Sequence, residues 1–252
     1  MLLVMIRDWC LGISQVSLAI LLALATRRKL YKELPWFYAY LAFQTARCGI
    51  QSGLSLTLGY DATFYFYWST DVIDALLNIG IIREVYAKTF AGYESWRASS
   101  RRVFHWSLGV LGVLCAISAY LFPGSNLYPI ISVLTVMERS VAVLVAGMLF
   151  AFLVLTAWAG ISWRSRTVGV ATGMMVYSAI LATAESVQST GHFWSERLAF
   201  TISNDLGYIL AVCIWALYVA RQTVEVRVEA SSTEAALLRD WNSSLEAISQ
   251  PK

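Results

Sequence analysis

The chain has 252 residues, of which 58% are hydrophobic and only 14% charged. A soluble domain of this length carries about a quarter charged residues, so the composition excludes a water-soluble domain for most of the chain. The net charge of +3 is not a nucleic-acid signature, because the cations lie in gaps between apolar runs, where each gains about 1 kcal/mol from anionic lipid headgroups.

The first ten residues, Met1–Cys10, lack a basic leader, and Arg7 and Asp8 interrupt their apolar run. They read as a short outside segment rather than a cleaved signal peptide. A membrane-crossing helix needs about 20 mostly apolar residues. Seven candidates follow in order: Trp9–Thr26, Leu34–Leu58, Phe64–Ala87, Val103–Leu121, Tyr128–Trp158, Thr167–Ser189 and Leu198–Ala220. Pro35 and Pro129 suit first helical turns, where the missing N–H is no loss, and Pro123-Gly124 is a turn signal after the fourth run. The fifth run is over-long and is expected to tilt or project.

Basic residues occupy every second gap. Arg27, Arg28, Lys29 and Lys32 fill the first, Lys88, Arg97, Arg101 and Arg102 the third, and Arg164 and Arg166 the fifth; Gly59–Ala62 and Phe122–Asn126 hold none. Lys and Arg beside membrane spans stay on the cytoplasmic side. The expected fold is therefore all-α, an integral membrane seven-helix bundle with the N-terminus outside and the C-terminus cytoplasmic. Trp36, Phe37, Tyr38 and Tyr40 would mark the inner interface, and Tyr60 through Trp68 with Phe193-Trp194 the outer one. The run Phe64–Trp68 is denser than anchoring requires, so one or two of its rings are expected to face a pocket.

Residues 1–220 form the expected membrane domain and 221–252 a cytoplasmic tail. In the tail, Ser231 and Glu234 are spaced as a capping box, and Leu238, Trp241, Leu245 and Ile248 make one apolar stripe. Such a stripe suits the membrane surface, the underside of the bundle or a protein partner. Cys10, Cys48, Cys115 and Cys213 sit in or beside apolar runs and read as small hydrophobes; no metal or redox pair is spaced among them.

Ionisable side chains inside spans are costly and tend to face the bundle interior, which makes them the first functional candidates. Span three carries Tyr67, Asp71, Asp74 and Asn78 on one helical face, and span two carries Gln44, Arg47 and Gln51 on another. Span five adds Glu138-Arg139, span six Glu185 and Gln188, and span seven Asn204-Asp205 with Tyr208. At about 1.5 Å per residue, Arg47, Asp74 and Glu138 fall roughly 15 Å from the outer ends, Asp71 and Asp205 roughly 10–12 Å, and Glu185 roughly 6 Å. The expected ligand site is thus Arg47, Tyr67, Asp71, Asp74, Glu138, Arg139, Glu185 and Asp205, gathered in the outer half. Its carboxylates outnumber its guanidiniums, which calls for raised carboxyl pKa values or a bound cation. The bland reading is that Arg47 pairs with Asp71 or Asp74 to lock two spans together, with the amides as interhelical glue.

His105 and His192 lie at span boundaries, which leaves no intramembrane histidines for bis-histidine haem, a zinc hydrolase or a Ser–His protease. Span seven has no Lys to bind retinal. The outside start and inside end resemble seven-span receptors, but architecture does not assign function, and neither Arg83-Glu84 nor Asn204–Tyr208 matches their span-end motifs. The reading is a sensor or receptor-like protein, not an enzyme, binding a small polar or cationic ligand from outside, with no cofactor. A proton- or cation-coupled transporter and a membrane assembly subunit are the alternatives, the latter drawing on the small-residue face Gly169, Gly173. Expected partners are the lipid bilayer, the ligand, and a cytoplasmic or membrane protein reached through the tail. Short loops and no outside glycosylation sequon point to a bacterial cytoplasmic membrane.

Overall fold

The computed structural model describes residues 2–57, 59–91, 102, 104–110, 112–113, 117, 129–158, 160–188 and 194–221. The chain divides into a unit Met1–Arg221 and a unit Gln222–Lys252; the expected tail helix lies outside the described residues. Within the first unit the helices are α1 (Leu2–Arg27), α2 (Leu30–Glu33), α3 (Pro35–Thr57), α4 (Gly59–Thr89), α5 (Pro129–Trp158), α6 (Arg166–Gln188) and α7 (Trp194–Ala220). The described positions between 102 and 117, where a fourth span is expected, are also helical, and no strand occurs among the described residues.

Among the described residues, four stretches are long and apolar enough to cross a membrane: Trp9–Arg27, Val136–Trp158, Arg166–Ala184 and Ile202–Ala220. They mark the chain as a membrane protein. The other two long helices, α3 and α4, are long enough, but Gln44, Arg47, Gln51, Asp71, Asp74 and Asn78 dilute their hydropathy. Two boundaries differ from the sequence expectation. α1 already begins at Leu2, so the leading segment is part of the helix, and α4 begins at Gly59, which shortens the connection after α3 to almost nothing.

The helix ends have identifiable causes. α5 stops in a Schellman arrangement: Gly160 takes φ 66°, its N–H reaches the Ala157 carbonyl at 3.2 Å, and the Ile161 N–H reaches Thr156 at 2.9 Å. α3 starts with Pro35 after Leu34, a residue with no capping group of its own. Glu84 of α4 supplies the cap, its Oε2 accepting the N–H groups of Trp36 at 3.1 Å and Phe37 at 3.3 Å. A carboxylate there also meets the positive end of the helix dipole. Arg28 donates to the Ala220 carbonyl at 3.3 Å, placing a cation at the end of α7, where carbonyls lack helical partners.

These contacts, with the Arg166–Glu33 ion pair at 2.5 Å, bring the end of α1, the start of α3, the end of α4, the start of α6 and the end of α7 to one end of the bundle. Among the described residues, the large fully buried rings gather in that basic-end half. Phe37, Tyr40, Phe90, Phe152 and Trp215 are each at most 1% exposed there. Large side chains fill gaps left by glycine: the Trp215 indole lies where a Cβ on Gly173 would be, Tyr218 over Gly169, and Trp36 over Gly80. Close approach at small residues is what holds helices together when lipid removes the hydrophobic drive between them. Outward, exposed apolar side chains form stripes: Ile13, Val16 and Ile20 on α1, Val72, Leu76 and Ile79 on α4, and Leu206, Leu210 and Leu217 on α7.

Candidate functional site

The site is built on the antiparallel register of α3 and α4. Polar residues at 44 and 47 climb one helix while those at 71 and 74 climb the other, so three residues forward on α3 match three back on α4. Arg47 thereby meets Asp71, with Nη2 to Oδ1 at 3.6 Å, and Gln44 Nε2 donates to Asp74 Oδ1. Within α4, Asn78 Nδ2 donates to the other Asp74 oxygen at 2.9 Å, the one-turn spacing that brings side chains at i and i+4 together.

The Arg47 guanidinium also lies over the Tyr67 ring, 4.8 Å from its centroid, and Nη2 donates to the Tyr67 carbonyl at 3.4 Å. The Tyr67 hydroxyl donates to Glu138 Oε1 at 2.8 Å, which ties α4 to α5. A cation held between a carboxylate and an aromatic face is doubly engaged. The Arg47 side chain is 9% exposed and that of Asp71 12%, so separating the pair would strand a charge in low dielectric.

These residues line a cavity of about 250 Å³. Of the eight residues expected from the sequence, Arg47, Tyr67, Asp71, Asp74, Glu138 and Asp205 line it. Arg139 is not among the lining residues. Successive helix positions are about 100° apart, so Glu138 and Arg139 face different ways, and Arg139 Nη2 is buried without a hydrogen-bond partner among the described residues. The side chain of Glu185 lies outside the described residues. Among the described side chains of the dense aromatic run, Tyr67 lines the cavity; Tyr65 is exposed and Trp68 lies edge-on against Tyr67 at 5.2 Å.

Arg47 and Gln44 join α3 to α4, and they do so on the wall of a cavity. Sequence reasoning missed Tyr177 and Ser178 of α6, which line it with Asn204 and Tyr208 of α7. Tyr177 and Tyr208 meet edge to face at 5.1 Å. From there an aromatic series runs into the packed half, Tyr208 to Trp215 at 6.3 Å and Trp215 to Phe37 at 5.3 Å. A lone tyrosine in an apolar span carries little signal in the sequence.

The small-residue face of Gly169 and Gly173, expected to serve a partner, is instead occupied by Tyr218 and Trp215 of α7. Among the described residues no three His, Cys, Asp or Glu side chains are grouped so as to hold a metal ion; the carboxylates are distributed around the wall. Comparison with protein-family models, curated proteins and solved structures yields no match. What fold and site define together is an all-helical membrane protein with a carboxylate-rich cavity among its helices.

Proposed function

We propose that this chain is a receptor-like sensor: a seven-helix bundle that binds a small polar or cationic ligand in the cavity from the outside. The observation that carries the reading is the convergence of Arg47, Tyr67, Asp71, Asp74, Glu138 and Asp205, from four helices, on one cavity. Four carboxylates and one guanidinium on a common wall are a costly arrangement in low dielectric, and intramembrane ionisable groups of this kind mark ligand or ion sites. All seven apolar runs cross the membrane in this reading, α3 and α4 included. The exposed stripe of Val72, Leu76 and Ile79 supports it, because α4 turns hydrocarbon outward and carboxylates inward.

The orientation follows from the basic end, which belongs on the cytoplasmic side and leaves the cavity in the outer half. The tail from residue 221 then carries the output to a cytoplasmic or membrane partner, and a bacterial cytoplasmic membrane is the proposed location. Ligand-dependent thermal stabilisation of the purified protein tests the assignment. Asp74→Asn and Arg47→Ala should each abolish the stabilisation while the protein still inserts; normal ligand binding in both variants would remove the site.

A carrier is the second reading, favoured by the hydrogen-bonded carboxylates Asp74 and Glu138, since such groups serve as proton relays. Against it stands the packed half below, where Phe37, Tyr40 and Trp215 fill the bundle. Solute or proton flux in proteoliposomes would promote this reading over the first.

A further inference from the structure

We infer that the ligand is a small organic ammonium ion whose positive charge rests on Asp74, facing Tyr177 and Tyr208. This rests on the ligand-binding reading above and narrows it to one chemical class and one anchor. Three of the cavity's four carboxylates have partners of different kinds. Asp71 has Arg47 at 3.6 Å, and Glu138 receives the Tyr67 hydroxyl at 2.8 Å. Asp74 is held by two amides, Gln44 on Oδ1 and Asn78 on Oδ2. Amide donors fix a carboxylate in place and solvate it, yet carry no net charge to cancel its own. Each carboxylate oxygen has two acceptor positions, so after one amide bond apiece Asp74 retains acceptor capacity.

Other wall residues near Asp74 also suit a cation. Tyr177 and Tyr208 line the cavity, and aromatic faces attract cations. Asn204 also lines it, with Oδ1 buried and lacking a hydrogen-bond partner among the described residues. A buried acceptor of that kind is costly until a donor reaches it. A carboxylate, tyrosine rings and an amide oxygen together suit a cation bearing N–H or N–CH groups. Val141, Val145 and Leu181 add hydrocarbon surface for a small apolar body. A bare metal ion fits poorly, because among the described residues no three candidate ligands are grouped. At about 30 Å³ per water, the volume of about 250 Å³ suits a molecule of roughly ten non-hydrogen atoms or fewer.

The test uses the full chain in lipid nanodiscs and a panel of primary and quaternary amines of that size, each paired with the alcohol of the same skeleton. 2-Phenylethylamine against 2-phenylethanol is one such pair. Amines should raise the unfolding temperature and their alcohols should not. Asp74→Asn should weaken amine binding at least tenfold by calorimetry, and Tyr177→Leu several-fold. If alcohols stabilise as well as amines, or Asp74→Asn binds amines normally, the ammonium assignment is overturned while the cavity remains a ligand site. If neither series binds at millimolar concentration, both readings fail. Should Asp74→Asn not fold, the amine–alcohol contrast on the unaltered protein and the Tyr177→Leu variant still decide the matter.

Discussion

The two halves of the bundle are made from the same helices and held by different forces. Toward the basic end, α3, α4, α6 and α7 meet through large rings seated on glycines, with Trp215 on Gly173 and Trp36 on Gly80. Toward the other end α3, α4 and α5 meet through Arg47–Asp71, Gln44–Asp74 and Tyr67–Glu138, around space. Interlocked rings have one good arrangement and lose contacts steeply when displaced. Polar partners around a cavity can exchange one another for water or a ligand at modest net difference. Both kinds of contact occur along α3 and α4, with Trp36 on Gly80 in the packed half and Arg47 on Asp71 at the cavity.

The comparison breaks most readily at Trp215, fully buried, with its Nε1 donating to the Val170 carbonyl at 3.2 Å. Trp215→Ala removes the ring that Phe37, Tyr40 and Tyr208 all touch, and large-to-small changes of this kind destabilise by about 3–5 kcal/mol. Thermal unfolding of the purified protein should show that loss, against little change for Asp74→Asn. Equal losses would mean that the cavity half carries as much packing as the basic-end half.

A smaller effect tests the same seam from the other side. Gly173→Ala drives a methyl into the Trp215 indole, and overpacking of a filled interior destabilises by about 1–3 kcal/mol. Pairing it with Trp215→Phe should recover part of the loss, because the smaller ring frees volume at the same contact. No recovery in the double variant would mean that Gly173 is needed for something other than the ring above it.

How much of this was legible beforehand follows the same division. The cavity wall could be read because charged residues are rare in spans, so helical spacing alone put Asp71 with Asp74 and Gln44 with Arg47. Even the pairing was encoded: the three-residue step on α3 mirrors the three-residue step on α4, as antiparallel neighbours require. Arg139 does not join Glu138 on the wall, as expected of successive helix positions that face about 100° apart. Tyr177 and the occupants of Gly169 and Gly173 were not legible, since an aromatic or a glycine in an apolar run has many uses and only tertiary packing selects one. The Glu84 cap on α3 was hidden for a related reason: capping signals are local in sequence, and this one comes from 48 residues away.

Glu84 offers the finest test. It sits in the packed half, ten residues or about 15 Å along α4 from Asp74, with Lys88 Nζ at 3.4 Å. Glu84→Gln keeps an oxygen for the Trp36 and Phe37 N–H groups but removes the charge at the dipole's positive end, an effect of about 0.3–1 kcal/mol; Glu84→Ala removes the cap altogether, at about 0.5–2 kcal/mol. Both should lower the unfolding temperature in that order while leaving ligand affinity unchanged. If Glu84→Gln shifts affinity more than its stability loss explains, the start of α3 moves when the cavity fills. The packed half would then be part of the response rather than its support.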